Sequence, residues 1–161
     1  ILSANIDASV EPAIRGMFKD HIVLERGGVK IGIIGATTED TPEISSPGAN
    51  LRFVRAETVV APIVAKLRAE GVNHIILVTH LGLTRDADVA KAVDGIDVIV
   101  GGHSHTLLGN GLQGAEGPYP TLARSPSGRF TCICAGCSNT LTRPRWCPTG
   151  CARLSTPSPR A

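Results

Sequence analysis

Three short apolar runs set the layout of this 161-residue chain. They span residues 29–36, 75–79 and 96–100, and each is bounded by polar or glycine-containing segments. Runs of this length, rich in Val and Ile and without helical spacing, predict strands, the first of them buried on both faces. Between the first two, residues 57–70 place Val59, Val60, Ile63, Val64 and Leu67 on one face at the 3.6-residue period, which predicts a helix. Pro62 interrupts that pattern, so the helix is expected to start late, near Pro62, or to kink there. Gly71 is placed to end it. Between the second and third runs, Thr84 or Asp86 can cap a short helix that ends before Gly95, with Asp86 and Asp88 near its positive end. Strand, helix, strand, helix, strand in this order predicts an α/β fold with parallel strands and right-handed crossovers.

The flanks are less regular. Residues 1–7 predict a short strand, and Pro12 and Gly16 break the segment after it. Residues 21–25 form a second candidate strand, and Arg26-Gly27-Gly28 turns it into the 29–36 run as a hairpin. Residues 37–50 read as a loop. Gly32 and Gly35 hint at a dinucleotide loop, but the full G-x-G-x-x-G is absent and no helix follows at once, so a closely packed strand is the better account. Residues 106–128 are a long Gly- and Pro-containing loop. After Arg129 neither helical period nor strand alternation is visible, and Pro144, Pro148, Pro157 and Pro159 oppose regular structure. The expectation is a domain over 1–128 and a poorly ordered tail over 129–161.

Charge sharpens that division. The net +2 combines −4 over residues 1–116, which hold all 14 acids, with +6 over residues 117–161, which hold six arginines, no lysine and no acid. All five cysteines are also late: Cys132, Cys134, Cys137, Cys147 and Cys151. The net charge is therefore no argument for nucleic-acid binding by the folded part. No apolar run approaches the roughly 20 residues of a membrane span. The start lacks both an initiator Met and the pattern of a signal peptide.

The chemistry concentrates at two strand ends. Gly101-Gly102-His103-Ser104-His105 follows the third apolar run, and His80 directly follows the second. In parallel sheets, ligands gather beyond the carboxyl ends of the strands, so the fold is expected to bring His80, His103 and His105 to one edge. The two glycines allow a sharp turn and a close backbone approach. Neutral imidazole is a common ligand of zinc, manganese and iron. One such histidine is as well explained as a polar loop residue; three beside a double glycine favour a metal set. A two-metal site would clamp a phosphoryl oxygen and supply hydroxide near neutral pH. His21 and His74 read as structural or surface residues. Asp94 and Asp97 read first as caps or solvated charges, and second as partners of the histidines. The cysteines form one poor C-x-C-x-x-C knuckle and one loose C-x3-C, a weak zinc pattern.

The stretch Val78-Thr79-His80-Leu81-Gly82, followed by Gly95-Ile96-Asp97-Val98-Ile99-Val100 and Gly101-Gly102-His103-Ser104-His105-Thr106, resembles the calcineurin-like metallophosphoesterases. The nearest branch is the 5′-nucleotidase family, with its UDP-sugar hydrolases and 2′,3′-cyclic-nucleotide phosphodiesterases. Leu2-Ser3-Ala4-Asn5-Ile6, residues 29–35 with 38–42, and Gly117-Pro118-Tyr119-Pro120-Thr121 fit the same branch. The resemblance covers about residues 1–128. It implies part of a four-layer α/β/β/α sandwich with a dinuclear site for zinc, manganese or similar divalent ions. His80 and His103 would bind one ion and His105 the other. The substrate would be a nucleotide or other phosphate ester, and the intact parent would sit in the periplasm or at the cell surface.

The resemblance also implies D-x-H, G-D-x-x-D and G-N-H-[DE] motifs upstream and a C-terminal nucleotide-binding domain, none of which this sequence contains. The expected catalytic histidine of G-N-H goes with them, so no catalytic residue is assigned. Two readings result: a piece of a phosphoesterase with little turnover of its own, or a non-catalytic relic. The compositional break predicts a frameshift or gene truncation near residue 129. A third reading is a cysteine-based zinc module on an α/β scaffold.

Overall fold

The computed structural model describes residues 1–109, 113–118 and the backbone of 132–135. Its main sheet has five strands in the order β2-β3-β5-β6-β7. These are β2 (His21–Arg26), β3 (Val29–Thr37), β5 (His74–His80), β6 (Val98–Gly101) and β7 (Cys132–Ala135). A separate two-stranded sheet pairs β1 (Ile6–Asp7) with β4 (Arg52–Phe53). The helices are α1 (Thr41–Ile44), α2 (Ala56–Ala69) and α3 (Leu83–Ala92).

The predicted hairpin is present. Arg26 pairs with Val29, leaving Gly27 and Gly28 as a two-residue turn, both at positive φ. That is the backbone a tight hairpin turn demands, and glycine adopts it without a Cβ penalty. β3, β5 and β6 then run parallel, with Leu77 opposite both Ile34 and Ile99. Alternation along the strands sends Ile34, Ile75, Leu77, Thr79, Ile99 and Gly101 to one face, where all are buried. Val60, Val64 and Leu67 of α2 and Val89 of α3 cover that face and complete the core. Each fully buried aliphatic side chain contributes roughly 1.5–3 kcal/mol. Gly32 belongs to the same packing, since a Cβ there would press on Leu67 Cδ1 at 2.9 Å. Gly35 faces the other way, and a Cβ there would overlap the backbone of Leu2. These contacts explain both strand glycines without a nucleotide loop. The opposite face carries Leu24, Val78 and Val100, each more than 40% exposed. The described residues thus supply one helix layer and one sheet layer of an α/β fold.

Four expectations change. α2 starts at Ala56 and runs through Pro62 rather than beginning there. Pro62 is exposed, and the helix keeps its buried stripe on either side of it. α3 starts at Leu83, and neither Thr84 nor Asp86 caps it; Asp86 is fully buried instead. A single helical turn, α1, sits inside the 37–50 loop, with Pro42 in its first turn where a missing N–H costs nothing. Finally, Cys132–Ala135 form β7, parallel to β6, within the tail expected to lack regular structure. The run Cys-Ile-Cys-Ala is short, small and apolar, which suits a strand on the edge of β6 better than its Pro-rich neighbours suggest. The rest of 129–161 lies outside the described residues.

Candidate functional site

The carboxyl ends of β5 and β6 build the site. The register pairs Val78 with Val100, so the next outward position brings His80 level with Gly102. There a Cβ on Gly102 would lie 3.1 Å from His80 Nδ1, so a side chain at this position would crowd the imidazole. The chain then turns sharply. Ser104 N–H donates to the Gly102 carbonyl at 3.0 Å, across His103 with φ +73°. A three-residue turn with its central residue at positive φ is rare and strained. His105 is also left-handed, at φ +54°. Non-glycine residues in this region cost of order 1–2 kcal/mol, and such strain concentrates where a side chain must be aimed.

The turn carries the His103 ring against His80. Their centroids lie 5.1 Å apart at an interplanar angle of 75°, edge to face, and both side chains are exposed. Gly82 lies beneath: a Cβ there would meet His103 Cδ2 at 3.5 Å. Ser104 adds a second tie. Its Oγ accepts from Leu83 N–H at 3.2 Å, so the histidine loop caps the first turn of α3. Thr106 Oγ1 donates to the same oxygen at 3.1 Å.

Of the three predicted ligands, His80 and His103 are brought together. Their ring separation suits two imidazoles on one ion, whose metal–nitrogen bonds are about 2.0–2.1 Å for zinc. Among the described residues, no group of three His, Cys, Asp or Glu side chains is gathered as one ligand set. His105, the third predicted ligand, comes two residues after His103 and is exposed.

Below the histidines lies a buried polar clasp that sequence reasoning missed. Thr79 Oγ1 donates to Asp86 Oδ1 at 2.6 Å, and both residues are buried. Burial pushes the Asp86 carboxyl up to about 6, against the pull of the Thr79 hydroxyl and the Arg85 charge. Asp86 Oδ2 has no hydrogen-bond partner among the described residues. It fills the space where a Cβ on Gly101 would be. Asn5, fully buried, is the second missed residue. It accepts from Thr37 N–H and donates to the Thr37 and Val54 carbonyls, tying the first segment to the end of β3 beside His80. Neither role shows in a local pattern, because each depends on a partner on another element.

Other candidates fall elsewhere. Asp97 accepts from Arg68 Nη2 at 2.9 Å and from Ile75 N–H at 2.7 Å, at the opposite end of the strands. It organises the sheet, not the histidines. His74 begins β5 at that same far end, beside a cleft of about 300 Å³ lined by Gly28, Val29, Lys30, Gly71 and Asn73. His21 stands 3.0 Å from Asp20 at the start of β2.

No family model matches the chain. Individual relatives do. The chain is 42% identical to the 5′-nucleotidase of Rattus norvegicus over 135 residues, covering 80% of this chain and 23% of the relative. It is 47% identical to an apyrase of Tabanus yao over 140 residues, 83% of this chain and 25% of that one. Among solved structures, the 5′-nucleotidase precursor from Thermus thermophilus superposes with a TM-score of 0.76 at 43% identity, covering 83% of this chain and 27% of that chain. The chain belongs to the 5′-nucleotidase family. It spans about a quarter of the length of the curated relatives it matches.

Proposed function

We propose that this chain supplies part of the metal site of a phosphoesterase acting on nucleotides or related phosphate esters. The observation that carries the reading is the His80–His103 pair, held edge to face by a strained turn at the carboxyl ends of two parallel strands. Both imidazoles are exposed, so ring nitrogens are available to an ion. In this reading His80 and His103 hold one divalent ion, zinc, manganese or similar, and His105 contributes to a second. Bound divalent ions in such sites make hydroxide available near neutral pH and neutralise charge on a phosphoryl oxygen. The chain's own part is to fix the spacing of the imidazoles through Gly101, Gly102 and the Ser104 cap.

Membership in the 5′-nucleotidase family supports the substrate class, and its relatives include proteins called 5′-nucleotidase and apyrase. The resemblance that names the upstream motifs also supports a periplasmic or cell-surface setting for the longer protein. A second reading is a non-catalytic relic that keeps part of a metal site. The test is an assay of the purified 161-residue chain on AMP and on 4-nitrophenyl phosphate with zinc or manganese. Metal binding with little or no turnover is expected. A robust metal-dependent rate would overturn the claim that this chain is only part of the site.

A further inference from the structure

We propose that Asp86 is a positioning residue for the histidine pair. Its carboxyl, clasped between the Thr79 hydroxyl and the backbone of Gly101, sets the distance between the two strand ends that carry His80 and His103.

Three contacts place it there. Thr79, which bonds Asp86 Oδ1 at 2.6 Å, directly precedes His80. Gly101, whose missing Cβ leaves the room that Asp86 Oδ2 occupies, is followed by Gly102 and His103. Asp86 N–H donates to the Gly82 carbonyl at 2.9 Å, and Gly82 lies under the His103 ring. One side chain from α3 therefore touches the last inward residue of β5 and the last of β6, on the face opposite the imidazoles.

Stability alone explains this group poorly. A fully buried carboxyl with one oxygen unpartnered is costly, and an apolar side chain between α3 and the sheet would avoid the cost. The carboxyl instead gives a short, directional bond to one strand and a shape that only a glycine on the other strand can accept. Together these hold the two strand ends in one relative position, and a functional set of ligands must be held to within about 0.5 Å. The inference rests on the reading of His80 and His103 as metal ligands, and it parallels the way groups behind a ligand tune a metal site.

The experiment compares the full chain with Asp86→Ala, Asp86→Asn and Thr79→Val. Two quantities are read on each: zinc affinity by calorimetry, and the metal-free NMR signals of the His80 and His103 rings, whose edge-to-face contact shifts one ring's protons upfield. Asp86→Ala is expected to abolish the upfield shift and weaken zinc at least tenfold. Asp86→Asn, which keeps the shape and the acceptor for Thr79, is expected to restore both to within about threefold of the parent. Thr79→Val removes the hydroxyl at nearly constant shape and is expected to reproduce the Ala result in part, which keeps the test open if Asp86→Ala does not fold. Ring signals and zinc affinity unchanged in a folded Asp86→Ala or in Thr79→Val would overturn the proposal. If the parent itself binds no zinc, the metal reading fails; loss of the ring contact in Asp86→Ala would still uphold the positioning role, and its persistence would refute it.

Discussion

His80 and His103 meet edge to face, ring centroids 5.1 Å apart, although a complete helical crossover separates them in sequence. Their meeting depends on the parallel register of β5 with β6 and on a turn that holds His103 at φ +73°. A left-handed histidine is not the cheapest solution for a sheet edge. The turn spends stability on the direction of one imidazole.

That cost is measurable. Glycine accepts positive φ freely, whereas alanine keeps the Cβ and loses the ring. His103→Gly is therefore expected to be more stable than His103→Ala by about 1 kcal/mol, despite glycine's larger unfolded-state entropy. Urea denaturation of the two variants checks this. Equal stabilities, or the reverse order, would show that the turn is not strained at His103.

Asp86 makes the stability of the fold depend on pH in an unusual direction. Its carboxyl is pushed up to about 6 in the folded chain from an ordinary value of 3.8, so the folded state binds the proton more tightly. The stabilisation is complete below about 3.8 and is lost as pH rises through about 6. The full effect is roughly 3 kcal/mol. Asp86→Asn removes the titration. The stability of Asp86→Asn relative to the parent is therefore expected to grow as pH rises from about 4 to 7. A difference between the two that does not change with pH would contradict the assignment.

Arg85 joins three elements on the helix side. Its Nη2 donates to Glu39 Oε1 and to Glu57 Oε2, each at 2.8 Å, and Glu39 Oε1 also accepts from Ala56 N–H at the start of α2. Burial works to raise the Glu57 carboxyl, but its own backbone N–H, Arg55 and Arg85 together bring it down to about 2. That contribution is present above about 4.5 and is lost as pH falls toward 2. Arg85→Met is expected to destabilise the chain by about 1–2 kcal/mol at pH 7, a figure reduced for partial exposure. The loss should shrink in acid below about pH 4, where the carboxylates of the unfolded chain are already protonated. Thermal melts of both proteins at about pH 7 and about pH 3.5 provide the check; an equal loss at both would rule out a contribution from Glu57.

Much of this arrangement is legible in the sequence. Apolar runs and helical spacing place β3, α2, β5, α3 and β6, and the position of His80 and His103 after strands puts both at one edge. Legibility fails where a residue's role depends on a partner far along the chain. Asp86 looks like a helix cap because Asp is common in first turns, yet its true partner is Thr79 on β5. The real cap of α3 is Ser104, which comes after the helix and the next strand. Pro62 looks like a helix start because propensity is local, while the packing of Val60 and Val64 that carries the helix past it is not. β7 is hidden because it is only four residues long among Pro-rich neighbours, and its pairing with β6 decides its state.

The most direct test of the central claim is zinc and manganese titration of the full chain against His80→Ala, His103→Ala and His21→Ala. One ion bound per chain is expected, weakened at least tenfold by His80→Ala and by His103→Ala and unaffected by His21→Ala. Binding that survives both His80→Ala and His103→Ala would contradict the claim and place the ion elsewhere in the chain.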